Sequence, residues 1–254
     1  MKNKTYSAPS VKKAFKILHA IADSSTGLGV SELSSRVGIG KSTVLGITSA
    51  LEEMGILIRD SARKKYSVGY TLLELCRKAY VRMELRDVAR IPMEALTEKV
   101  GESVYLGVLN GEHVTILEVV ESHNEMKITS PPGTRLPLLT GATGRVLLAQ
   151  LEDKKAREIV HRLGLVRYTA NSVTDPRQFL REMAEARQKG YAIDDEEYMI
   201  GVRAIAAPVQ SASFPPVAIW VVGFTSSLDD QKMEKVVQEI EKTARKISHS
   251  LKPS

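Results

Sequence analysis

Apolar positions in the first third of the chain recur at three- and four-residue intervals, and glycines interrupt them. Val11, Ala14, Phe15, Leu18 and Ile21 form one stripe, which predicts a helix from about Ser10. The polar, glycine-bearing stretch 23–29 stops it. A second short helix follows, with Ser31 as its expected cap and Leu33 and Val37 facing inward. Gly38-Ile39-Gly40 makes a tight turn, with Ile39 plugging the space between the helices. The next helix begins near Lys41. Val44, Ile47, Leu51 and Met54 face its core side, and Lys41, Ser42, Thr43, Gly46 and Ser49 point outward. Two short strands, 57–59 and 65–68, then flank the tip Asp60-Ser61-Ala62-Arg63-Lys64. This order predicts a winged helix-turn-helix over residues 1–70.

From residue 71 the helical period resumes. Leu72, Leu75, Cys76, Ala79 and Met83 share one face, and residues 86–100 continue as a second helix with Pro92 near its first turn. We assign 71–100 to linking helices. Segments 103–109 and 113–120 are apolar around Asn110-Gly111, a hairpin signal. A third strand is expected at 126–130, before Pro131-Pro132-Gly133. Amphipathic helices are expected at 152–163 and 176–189, and paired strands at 202–209 and 217–224. A last helix, 229–251, carries Met233, Val236, Val237, Ile240 and Ile247 on one face. Residues 101–254 therefore read as an α+β domain, an antiparallel sheet covered by helices.

Charge sharpens the division. The first 80 residues hold 13 Lys and Arg against 6 Asp and Glu, whereas the other 174 hold 23 against 24. The formal +6 of the chain thus resides in the segment carrying the helix-turn-helix. Lysines and arginines placed on phosphates release condensed counterions, so double-stranded DNA is the expected partner. The contacts expected are Ser31, Lys41, Ser42, Thr43, Gly46 and the adjoining Ile47 for the groove and its phosphates. Arg63, Lys64 and Lys65 on the wing would rest on the sugar–phosphate backbone. The single cysteine, Cys76, excludes an intrachain disulfide and a thiolate zinc site, and is expected in a core. No run approaches the roughly 18 apolar residues of a spanning helix, and MKNKTYSAPS lacks the apolar core of a signal peptide. A cytoplasmic protein without membrane contact is expected.

Several motifs resemble the IclR family of bacterial transcriptional regulators: SVKKAFKIL (10–18), KSTV (41–44), LEEMG (51–55), YSVGYTLL (66–73), LPLLTGATGRVLLA (136–149) and GYAIDDEEYMIGVRAIAAPV (190–209). The resemblance implies an N-terminal winged helix, a linking helix, and a GAF-like effector domain. It also implies homodimers or homotetramers on near-palindromic operators. The chain departs from the family pattern in carrying Leu45 and Gly46 where members often have His-Arg, Ala204 in place of a common cysteine, and Gln210-Ser211 in place of Phe-Asp.

A candidate ligand site has three parts. Gly141, Ala142, Thr143 and Gly144 open a helix whose free N–H groups favour an anion. Of the acidic run 194–197, only Asp194 would line a pocket by resemblance, beside Val202 and Ala204 on the next strand; the rest read as a solvated turn rather than a cation site, which needs convergent ligands. In the last strand, our alignment with the family puts Val221 and Gly223 on the pocket face, and period two then turns Trp220 away. The expected effector is a small organic acid. No cofactor or metal is implied: the five histidines lack metal-ligand spacing, and G-x-S-x-G and Walker-type loops are absent. The reading is a regulator, not an enzyme. The alternatives are a ligand-binding adaptor acting on protein partners and, less favoured, a small-molecule enzyme.

Overall fold

The inner face of the first helix is set by Ile17, Ala20 and Ile21, which pack with Leu33, Val44, Leu51 and Leu57 into one small core. The computed structural model describes residues 8–81 and 84–251. They divide into two units, Met1–Met83 and Glu84–Ser254.

The N-terminal unit comprises α1 (Pro9–Ala22), α2 (Val30–Val37), α3 (Lys41–Glu53), the hairpin β1 (Leu57–Asp60) and β2 (Lys65–Val68), and α4 (Tyr70–Val81). Ile39 is buried in the turn, which Ser34 secures by donating its hydroxyl to the Ile39 carbonyl at 2.7 Å. Four inferences fail here. Val11 and Phe15 lie outside rather than inward, Phe15 at 59% exposure, because the apolar residues of α1 offer two stripes and the core takes the second. Met54 is 62% exposed at the C-cap of α3, and Thr48 is buried instead, its hydroxyl donating to the carbonyls of Val44 and Leu45. Ser31 is not the cap of α2. Gly29 holds that position, its N–H donating to Glu32 Oε2 at 2.7 Å. Cys76 and Leu75 are exposed, not buried; of the stripe expected on α4, Ala79 and Met83 lie outside the described side chains.

The C-terminal unit is built on one antiparallel sheet of order β5-β4-β3-β8-β7-β6. Its strands are β3 (Ser103–Asn110), β4 (His113–Val120), β5 (Arg135–Pro137), β6 (Ala192–Asp195), β7 (Val202–Val209) and β8 (Val217–Phe224). The expected hairpin forms around Gly111, whose φ is +63°. The strand expected at 126–130 does not form; β5 and β6 take the two edges instead. Helices α5 (Glu84–Val100) and α9 (Asp230–Ser250) cover one face. On the other face α6 (Gly141–Ala149), α7 (Asp153–Leu163) and α8 (Pro176–Lys189) surround a core that includes Tyr105, Leu147, Phe179, Met183 and Trp220. Burial on both faces removes alternation from the central strands, so every residue of 217–221 in β8 is buried. The 71–100 segment is shared between units, since α4 belongs to the first and α5 packs on β3, β4 and α9 of the second.

Candidate functional site

The first functional surface is the start of α3. Gly40 precedes the helix, and no side chain among the described residues caps it. Val44 is the first residue of α3 whose N–H finds a helical carbonyl, that of Gly40, so the amides of Lys41, Ser42 and Thr43 lack intrahelical partners. These three side chains are exposed, as are Ser31 and Gly46. A Cβ at Gly46 would meet nothing within 4 Å, so the helix presents open space there. Ile47 does not belong to this surface; it is half-buried against the core. On the wing, Arg63 and Lys64 form the exposed tip, with Lys64 at φ +54° and Asp60 accepting the N–H groups of Ala62 and Arg63. Lys65 turns back from the tip, its ammonium 3.3 Å from Glu32 Oε1.

The second surface is concave. A cavity of about 320 Å³ lies on the α6 face of the six-stranded sheet. Every strand contributes: Arg135 from β5, Val114 and Ile116 from β4, Tyr105 from β3, Trp220 and Val222 from β8, Val202 and Ala204 from β7, and Asp194 from β6. Thr140 and Thr143 at the start of α6 and Tyr198 and Met199 beyond β6 complete the wall. Trp220 stacks on Tyr105 with ring centroids 5.5 Å apart, and Tyr105 donates its hydroxyl to the Ile128 carbonyl at 2.7 Å. Burial pushes the Tyr105 hydroxyl up to about 12, so it stays a neutral donor.

Of the nine residues expected at the ligand, Thr143, Asp194, Val202 and Ala204 line this cavity. Val221 and Gly223 do not. The strand is one residue out of the expected phase, which puts Trp220 and Val222 on the cavity face and Val221 and Gly223 on the α5 and α9 face. There a Cβ at Gly223 would lie 2.7 Å from Glu102 Oε2. Ala142 is in the core, and Gly144 sits under the Leu138 carbonyl. Gly141, at φ +50°, lies so close to Asp194 that a Cβ would stand 1.9 Å from Oδ2. The protein's own carboxylate therefore lies against the first residue of α6.

Asp194 is only 7% exposed, and burial pushes its carboxyl up. The N–H of Glu197, 2.8 Å from Oδ1, and the positive charge of Arg145 pull it back. Arg145 is itself 3% exposed and reaches Glu182 Oε2 at 2.7 Å, Glu197 Oε2 at 2.5 Å and the Ile193 carbonyl at 2.9 Å. Arg145, Tyr105 and Trp220 were not expected at the site; an arginine inside GATGRVLLA gives no sign of burial, and the two aromatics needed the strand phase.

An uncapped helix with a basic wing, in the same chain as a unit with a largely apolar cavity, defines a one-component DNA-binding regulator. The family of the IclR helix-turn-helix domain matches residues 10–61, and that of the bacterial transcriptional regulator IclR C-terminal domain matches residues 77–249. The chain belongs to the IclR family of transcriptional regulators, with a DNA-binding and an effector-binding domain. It is 31% identical over 245 residues to the HTH-type transcriptional regulator BhcR of Paracoccus denitrificans, covering 96% of this chain and 88% of that one. It is 30% identical over 243 residues to KdgR of Escherichia coli, covering 95% and 92%. An IclR homolog from Microbacterium hydrocarbonoxydans, solved in complex with 4-hydroxybenzoate, superposes with a TM-score of 0.79 at 26% identity, over 95% of this chain and 98% of that one. Among the described residues, no helix is long and apolar enough to cross a membrane.

Proposed function

We propose that this regulator grips its operator in the cytoplasm as a homodimer or homotetramer, and that a small organic acid filling the 320 Å³ cavity changes that grip. The observation that carries the ligand class is the polarity of the wall. The floor is aromatic and aliphatic, whereas polar groups gather at Thr140, Thr143, Arg135 and Asp194. A carboxylate suits Arg135, the cationic side chain of the wall, because the start of α6 already faces the Asp194 carboxylate. Asp194 suits a hydroxyl donor on the same molecule, and the aromatic floor suits a ring. A hydroxylated aromatic acid meets all three demands. The complex of the Microbacterium homolog with 4-hydroxybenzoate supports this class. The chain's role is regulatory and not catalytic, consistent with relatives that are transcriptional regulators.

Trp220 is the only tryptophan in the chain, so its fluorescence reports cavity occupancy directly. Titration with 4-hydroxybenzoate, benzoate, pyruvate and phenol, paired with footprinting on the chain's own promoter, tests the reading. The hydroxy acid should bind tightest and alter the footprint. Binding by phenol alone, with every carboxylate inert, would exclude an organic acid. DNA affinity that is insensitive to salt would exclude the operator reading in favour of a protein-docking adaptor.

A further inference from the structure

The segment after β6 forms part of one wall of the cavity; Asp194 holds its Glu197 N–H from the cavity side, and side chains outside the cavity hold its carbonyls and the Glu197 carboxylate. Thr169 donates its hydroxyl to the Glu196 carbonyl at 2.7 Å and reaches the Glu197 carbonyl at 3.2 Å. Ser172 donates to the same Glu197 carbonyl at 2.7 Å. Arg145 grips the Glu197 carboxylate and, through Glu182, ties the segment to α8. None of these three residues touches the cavity.

The segment is also strained. Glu196 is one of two non-glycine residues with positive φ among the described residues, at +60°, and its carboxylate accepts the Gly201 N–H at 2.6 Å. A bulky residue in that region persists only where its surroundings over-determine it. At the tip of the segment Ile200 stands exposed. A left-handed glutamate and an exposed apolar tip mark a segment held in place by its neighbours rather than by its own backbone preference.

We propose that residues 196–201 are the gate of the cavity and that Thr169, Ser172 and Arg145 are its latch: positioning residues that set how readily a ligand enters and leaves. The proposal rests on the cavity being the effector site, but the latch is testable without any effector. Acrylamide quenching of Trp220 reads access to the cavity, and amide hydrogen exchange at Glu197 and Gly201 reads opening of the gate. Thr169→Val with Ser172→Ala removes the three side-chain bonds to the segment, along with four that these hydroxyls make within residues 168–172, and leaves the volumes nearly intact. Exchange at both amides should quicken about tenfold, and quenching should rise, while amides of β3 and β8 keep their protection. Thr169→Ser should restore the original rates. If the double variant does not fold, Thr169→Val alone carries the same comparison. Unchanged exchange at Glu197 and Gly201, or an equal rise throughout the C-terminal unit, would overturn the latch. If the gate loosens as expected and no acid perturbs Trp220, the latch stands and the organic-acid reading fails.

Discussion

In the N-terminal unit the charges expected to meet DNA stand in water. Lys41, Arg63 and Lys64 are exposed, and the helix they flank is packed by a core of small extent. In the C-terminal unit the charges around the cavity are largely withdrawn from water: Asp194 and Arg145 are buried and Glu197, paired with Arg145, is half-buried. The first arrangement builds affinity from many weak, screened, nearly additive contacts. The second depends on a few contacts in low dielectric, each costly to disturb. Single substitutions should therefore be felt lightly at the groove and heavily at the cavity.

A glycine from each unit gives the widest contrast. Gly141→Ala combines a positive φ with a Cβ thrust into the Asp194 carboxylate, and should cost the C-terminal unit about 3 kcal/mol or more in denaturant titrations followed by Trp220. Gly46→Ala fills open space in the middle of α3 and should instead stabilise the N-terminal unit by up to about 1 kcal/mol, read by circular dichroism. A loss at Gly46 as large as that at Gly141 would break the comparison.

The triple variant Lys41→Ala, Arg63→Ala, Lys64→Ala comes next. It should lower the slope of log affinity against log salt by about 3 on duplex DNA while leaving acrylamide quenching of Trp220 unchanged. Asp194→Asn sharpens the other side. Burial raises the Asp194 pKa, so the folded chain binds that proton more tightly than the unfolded chain does. Ionising the carboxyl costs stability as pH rises past its unfolded value of about 3.9. The Asn variant should be the more stable at pH 7, the advantage vanishing in acid, and should lose preference for a hydroxylated acid. The smallest effect belongs to Glu239, held down to about 2 by Lys242 and Lys99, each 2.8 Å away. Its contribution is present above about pH 4.3 and disappears as pH falls through about 2, so Glu239→Gln should cost about 0.5 kcal/mol at neutral pH and nothing in strong acid. Melting temperatures across pH decide both cases.

The same contrast explains what could be read from the chain. The helix-turn-helix was legible because α2 and α3 each expose one face, and a period of three and four survives only when the other face is wet. The hairpin at Asn110-Gly111 was legible from its turn chemistry. In β8 the sequence VAIWVVGF offers no alternation, because helices cover both faces, so nothing local distinguishes Trp220 inward from Val221 inward. The edge strand β6 is only four residues long and carries two acids, which reads as a turn. Thr169 and Ser172 lie in a loop without any motif; their partners are 25–28 residues away, and only the tertiary fold brings them together.

The bare beginning of α3 has one more consequence. Three backbone donors there have no helical or side-chain partner, and a phosphodiester oxygen is an acceptor of the kind they need. If this turn meets the duplex as expected, the DNA supplies the missing cap of a protein helix, and the reading head is a finished object only while it is reading.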